Sequence, residues 1–177
     1  ARVPEAPSIP REKPPGTVRI FVFGESAAYG DPQPRFGLSR MLEALLGLRH
    51  PGKKFEVVTA AMTGINSHVI LPLARDCAEA RGDVWVIYMG NNEVIGPFGA
   101  GTVFGSQTMP RPMIHAGLAL KATRTGQLFD ALRGAAQKTS AGSGEWEGMR
   151  AFIKYKVAGS DPRLGAVHEN FGQNLKD

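Results

Sequence analysis

Three short apolar runs alternate with longer stretches in which apolar residues recur every three or four positions. The runs span 18–23, 55–61 and 84–89 and predict three strands, and the apolar, β-branched run 18–23 fits a buried strand of a parallel sheet. The spacing of three and four predicts helices over 38–48 and 69–80. Strands joined by helices of this length should be parallel with right-handed crossovers. The pattern therefore predicts an α/β protein with a doubly wound, mainly parallel sheet.

The pattern changes after the third strand. Residues 91–110 are rich in glycine and proline and predict a loop, whereas 113–133 and 164–175 have helical spacing. Trp146, Met149, Ile153 and Val157 fit another helix, although 152–157 also fits a strand. Because no convincing fourth strand is predicted, we expect the sheet to be incomplete at the C-terminal end of this chain.

Prolines punctuate the first 16 residues. They fix φ and remove donors, so 1–16 is predicted to be an extended linker and 17–177 the folded domain. The chain begins with Ala1, and we expect that a segment precedes it in the full-length protein.

Composition excludes several classes of protein. The apolar fraction of 42% and the charged fraction of 21% are ordinary for a globular chain. No apolar run approaches the roughly 18 residues that a membrane span requires. The net charge of +5 is not gathered into a basic cluster, so nucleic-acid binding is not expected. The single cysteine, Cys77, excludes an internal disulfide and cannot by itself form a thiolate metal site.

Candidate chemistry follows each of the three predicted strands. Ser26, Gly64 and Asn92 lie in these three loops, which should meet at one edge of a parallel sheet. An activated serine attacks an ester carbonyl, and the resulting oxyanion needs hydrogen-bond donors. The N–H groups of Ser26 and Gly64 and the Asn92 carboxamide are predicted to supply them, without a metal or an organic cofactor.

The three blocks resemble the SGNH (GDSL-type) hydrolase superfamily. Gly24-Glu25-Ser26, Gly64 and Gly90-Asn91-Asn92-Glu93 stand in the family's order. The stretch 92–99 is also similar to bacterial proteins that join such a domain to tetratricopeptide repeats. The resemblance implies a flavodoxin-like three-layer fold, an acyl ester or acylated glycan as substrate, possible contact with adjacent repeats, and an extracytoplasmic or membrane-anchored location. Membrane contact itself is left open.

Two features depart from the family pattern. Glutamate replaces aspartate at Glu25 and Glu93, and the family's Asp-x-x-His block, which supplies the acid and the general base, is missing. The histidines stand elsewhere in the chain, at His50, His68, His115 and His168. The resemblance therefore implies that the base comes from a downstream segment outside this chain.

The sequence also allows other interpretations. The same fold could be a non-catalytic binding or scaffolding module linked to tetratricopeptide repeats, or the loop after the first strand could bind a nucleotide or phosphate. Glu25 and Glu93 could form a metal pair or a glycosidase pair, although no third ligand supports either. Tyr29, Phe98 and Phe104 could line an acyl pocket or simply pack in the core.

Overall fold

A three-stranded parallel sheet carries the structure, a computed structural model that describes residues 9–102, 109–137 and 157–177. Its strands are β1 (Thr17–Gly24), β2 (Lys54–Ala61) and β3 (Val84–Tyr88). β1 is central and pairs in parallel with both neighbours, giving the order β2-β1-β3. The three predicted strands and the α/β class with a parallel sheet are confirmed.

Six α-helices accompany the strands in the described residues. They are α1 (Ser26–Tyr29), α2 (Leu38–Arg49), α3 (Ser67–Ala78), α4 (Arg111–Ala122), α5 (Arg124–Gln137) and α6 (Arg163–Lys176). The predicted helices over 38–48, 69–80 and 164–175 correspond to α2, α3 and α6. α1, a single turn after β1, lies in a segment that the sequence assigned to a loop, because four residues are too few to show helical spacing.

Two apolar clusters cover opposite faces of the sheet. On one face, Phe21 and Phe23 of β1 pack with Ile70 of α3. On the other, Ile20 and Val22 pack against Leu42 of α2 and its neighbours. Successive side chains of a strand point to opposite faces, so β1 contributes to both clusters. The helix that follows β1 and the helix that follows β2 therefore lie on different faces.

The segment 113–133, which the sequence predicts to be helical, belongs to two helices. The chain leaves helical geometry at Thr123, where ψ is 154°. The Thr123 hydroxyl accepts the N–H of Gly126 at 3.0 Å, which caps the next helix. The helical prediction for 113–133 is therefore confirmed, and the break at Thr123 is a detail that apolar spacing does not show. The ambiguous segment around Trp146, Met149 and Ile153 lies outside the described residues.

The residues just before β1 contact the domain. Residues 9–16 form no helix or strand, yet Ile9 packs against the core and Lys13 pairs with Asp83 at 2.5 Å. Within β1, Arg19 is fully buried and its Nε donates to Glu56 of β2 at 2.6 Å. Residues 9–16 are thus tied to the domain through side-chain contacts.

β3 is the exposed strand of the described sheet. Its Trp85 and Ile87 side chains are 41% and 53% exposed, whereas Phe21 and Val22 of β1 are fully buried. In the described part of the chain β3 pairs with β1 alone. The helices there include none that is both long and apolar enough to cross a bilayer.

Candidate active site

Hydrogen bonds join the three loops at the carboxyl ends of the strands. The Glu25 carboxylate, directly after β1, accepts the backbone N–H of Gly90 at 3.3 Å and that of Asn92 at 3.1 and 3.2 Å. The Asn92 side chain in turn donates Nδ2–H to the Ile65 carbonyl at 2.9 Å. Each predicted site residue is therefore in this chain of bonds or one residue away from it.

Ser26 is the first residue of α1 and is partly exposed. Its carbonyl accepts the N–H of Gly30, but within residues 9–102, 109–137 and 157–177 neither its hydroxyl nor its own N–H has a hydrogen-bond partner. Two residues before Ser26, the backbone of Gly24 lies close to that of Tyr88 in β3. A Cβ at Gly24 would lie 2.1 Å from the Tyr88 carbonyl oxygen, so this close contact requires glycine. Ser26 thus presents a hydroxyl and an amide donor that the described fold leaves uncommitted.

Gly64 lies between β2 and α3 with φ of 74°. L-residues rarely adopt this left-handed conformation, so the backbone at this position favours glycine. Its N–H has no acceptor in the part of the chain that the structure describes. Gly64 is partly exposed, and it directly precedes Ile65, which is bonded to Asn92.

Asn92 is held in position by hydrogen bonds of both its backbone and its side chain. Its backbone N–H is held by Glu25, and one Nδ2 proton is held by the Ile65 carbonyl. A carboxamide has two N–H donors, so one remains uncommitted among the described contacts. The side chain is partly exposed.

The glutamates of the loops after β1 and β3, Glu25 and Glu93, are buried. Burial raises the pKa of Glu25, and the N–H groups of Asn92, Gly90 and Asn91 oppose that rise. Burial likewise raises the pKa of Glu93, opposed by Ser67 and reinforced by Glu25. Both carboxylates accept hydrogen bonds from another segment: Glu25 from the loop after β3, and Glu93 from the start of α3. The described residues contain no group of three His, Cys, Asp or Glu side chains that could hold a metal ion.

Glu93 caps α3 from another loop. Its Oε1 accepts the Ser67 N–H and its Oε2 accepts the Ser67 hydroxyl, both at 2.8 Å. A carboxylate at a helix N-terminus is favoured by the free N–H groups there. Asn66 lies at the N-cap position of α3, but its side chain makes no capping hydrogen bond, because its Nδ2 donates to the Pro97 carbonyl at 2.7 Å.

The histidines do not supply a base to Ser26 within the described residues. His68 is buried on α3, and its ring meets those of Phe98 and His115 edge to face at 5.8 and 5.7 Å. Burial lowers the pKa of His68 to about 4, with further lowering from His115 and Arg111. His68 is therefore neutral at pH 7.

Of the aromatic residues considered for an acyl pocket, Tyr29 packs against the core cluster on the α2 side of the sheet. Phe98 contacts His68, and Phe104 lies outside the described residues. Cys77 packs against the α3-side cluster as an unpaired thiol whose pKa is raised, mainly by burial.

Sequence reasoning missed Asn174, a buried residue of α6. Its Nδ2 donates to the Ser67 hydroxyl oxygen at 2.9 Å and lies 3.1 Å from His68 Nδ1. The residue is 107 positions from Ser67 in the chain, so no local spacing could have indicated the contact.

Comparison of the chain with models of known protein families gave no match, and a search of curated proteins also gave none.

Proposed function

We propose that this chain forms the core of a serine-dependent ester hydrolase of the SGNH type, with Ser26 as nucleophile. The observation that carries the proposal is the set of uncommitted donors. Ser26 N–H, Gly64 N–H and one Asn92 Nδ2 proton lack acceptors among the described residues, in loops that are bonded to one another. Buried donors are normally satisfied, whereas donors held ready for a substrate at a partly exposed edge are not.

In the proposed reaction the Ser26 Oγ attacks the carbonyl carbon of an acyl ester while its proton passes to a general base. The carbonyl oxygen becomes an oxyanion held by Ser26 N–H, Gly64 N–H and the Asn92 amide. Collapse of this intermediate breaks the ester C–O bond, and the departing alkoxide takes the proton from the base. Water then hydrolyses the acyl-serine by the same route, which regenerates the Ser26 hydroxyl.

The reaction requires a base that no described contact of Ser26 supplies. We propose that a histidine of an Asp-x-x-His segment in the full-length protein fills this role, as the resemblance implies. The 177-residue chain alone should then be slow, because loss of a triad member leaves only the contributions of the oxyanion donors and binding. An acyl ester or acylated glycan is the proposed substrate.

The geometry at the start of α1 favours this role over phosphate binding. A phosphate loop offers several N–H groups to an anion. Here the buried Glu25 carboxylate occupies the N-cap position of α1 and takes up the N–H groups of the neighbouring loop. The N–H groups of Gly90 and Asn92 are therefore already engaged, which leaves fewer donors than a phosphate loop offers.

Covalent labelling tests the proposal. The full-length protein is treated with a serine-directed fluorophosphonate and mapped by mass spectrometry. We expect the label on Ser26, its loss in Ser26→Ala and its retention in Ser160→Ala, a control at an exposed serine. A label on another residue, or no label on the folded full-length protein, would overturn the proposal.

A non-catalytic binding module is the second candidate, favoured by the lack of a base at Ser26 among the described residues. The two candidates differ in the coding sequence downstream. An Asp-x-x-His after a further apolar strand supports the hydrolase, and its absence together with failed labelling supports the binding module, with tetratricopeptide repeats as the proposed neighbours.

A further inference from the structure

A buried polar network links α6 and α4 to the loop that carries Gly64. Four polar residues of this network are less than 10% exposed: Asn174 at 7%, Ser67 at 2%, His68 at 4% and Glu93 at 5%. The network involves neither Ser26 nor Asn92 directly. Buried polar groups of this kind are costly unless each donor meets an acceptor, so the directions of the hydrogen bonds can be worked out.

The orientation of the Asn174 carboxamide follows from Arg111. Arg111 Nε, which can only donate, lies 2.7 Å from Asn174 Oδ1. The oxygen of the amide is therefore on the side of α4. Its nitrogen must then face α3, where its two protons meet Ser67 Oγ at 2.9 Å and His68 Nδ1 at 3.1 Å.

The amide orientation fixes two further groups. Ser67 Oγ accepts from Asn174, so the hydroxyl proton is directed to Glu93 Oε2 at 2.8 Å. His68 Nδ1 must accept, so the neutral ring carries its proton on Nε2. A proton on Nδ1 would oppose the Asn174 N–H with a second donor.

We propose that Asn174 is a positioning residue: oriented by Arg111, its carboxamide directs the Ser67 hydroxyl onto Glu93 and holds His68 as the Nε2–H tautomer. Because Ser67 and Glu93 join the loops of Gly64 and Asn92, this contact docks α6 onto the candidate site. That it bears on ester hydrolysis rests on the proposed function, whereas the hydrogen-bond directions do not.

The low pKa of His68 agrees with this arrangement, since a neutral Nδ1 is what the Asn174 N–H requires. Among the groups facing His68, the His115 ring and the Arg111 guanidinium of α4 also disfavour its protonation. Both groups also interact with Asn174, Arg111 through its Nε at 2.7 Å, so a substitution at position 174 acts on His68 directly and through these neighbours.

The substitution Asn174→Asp replaces the amide nitrogen that donates to Ser67 and His68 with a carboxylate oxygen, and it changes the shape of the side chain little. A carboxylate can only accept, so His68 should move its proton to Nδ1 and donate. Its titration midpoint should rise from about 4 by about one to three pH units, the effect of an adjacent carboxylate. Gln173→Glu makes the same chemical change one residue away at an exposed position and should alter neither property.

Two-bond ¹H–¹⁵N correlation spectra of the protein labelled at histidine report which ring nitrogen is protonated. For the unsubstituted protein near pH 7 we expect a protonated Nε2 and an unprotonated Nδ1. An Nδ1–H tautomer there would overturn the proposal without any variant, even if Asn174→Asp failed to fold. An unchanged tautomer and midpoint in folded Asn174→Asp would also overturn it. Neither readout depends on activity, so failure of labelling at Ser26 would count against the hydrolase alone.

Discussion

The Glu25 carboxylate and the Asn92 backbone N–H are joined by a bifurcated hydrogen bond of 3.1 and 3.2 Å. Glu25 is fully buried and follows β1 directly, whereas Asn92 belongs to the loop after β3. The order of the strands reverses between β1 and β3, which is where open parallel sheets bind ligands. This one side chain thus fixes the spacing of the two loops that carry the proposed nucleophile and one oxyanion donor.

Removal of this carboxylate should destabilise the domain. Glu25→Ala leaves the N–H groups of Gly90 and Asn92 without their acceptor, which costs about 2 to 3 kcal/mol of unfolding free energy. Urea denaturation measures the change. Glu12→Ala, at an exposed carboxylate, is the control and should stay within about 0.5 kcal/mol of the parent. Equal stability of Glu25→Ala and the parent would contradict a structural role for this bond.

Two glycine-to-alanine substitutions should act in opposite directions. Gly64→Ala forces an L-residue into the left-handed region and should cost about 1 to 2 kcal/mol. Gly47→Ala, inside α2 with open space around its Cβ position, should add about 0.5 to 1 kcal/mol. Thermal or urea denaturation of the two variants checks the signs. A Gly64→Ala variant as stable as the parent would show that the loop does not need this backbone conformation.

Local patterns were sufficient to predict the strands but not the contacts between loops. The run 18–23 predicts its strand because burial selects apolar residues along the whole segment, whereas 84–89 is equally apolar although β3 is largely exposed in the described part of the chain. The roles of Glu93 and Asn174 depend on partners 26 and 107 residues away, and nothing in their immediate neighbours marks them. Asn66 has the residue type of a helix cap and lies at the N-cap of α3, yet its side chain bonds to Pro97 instead. Side-chain chemistry could therefore be assigned to an edge of the sheet, but not to particular bonds.

The buried His68 should make stability depend on pH. Its pKa is about 4 when folded and 6.5 in the reference state, so the unfolded chain binds more protons between these values. Unfolding free energy should therefore fall as pH falls from 6.5 towards 4, by about 3 kcal/mol for this group. The raised pKa values of Glu25 and Glu93 act with the opposite sign, favouring the folded state at lower pH.

The contribution of His68 is isolated by comparing variants across that range. His68→Gln should lose the part of the pH dependence that belongs to this ring, while His168→Gln, at an exposed position of α6, should keep it. Urea denaturation at closely spaced pH values gives the difference curve. If the two variants have the same pH dependence as the parent, His68 is not held neutral by the fold.

The Asn92 carboxamide should affect reaction at Ser26 far more than its neighbour does. Asn92→Ala removes the amide proton proposed for the oxyanion, and loss of one such donor typically lowers the rate by about 100-fold or more. Asn91→Ala is the matched control, since its side chain is exposed and makes no described hydrogen bond. The measurement is the rate at which the fluorophosphonate labels Ser26 in the full-length protein, with circular dichroism to verify folding because Asn92 also holds Ile65. Since phosphonylation passes through a charged oxygen in the same position as an ester does, equal rates in the folded variants would remove Asn92 from the proposed oxyanion site.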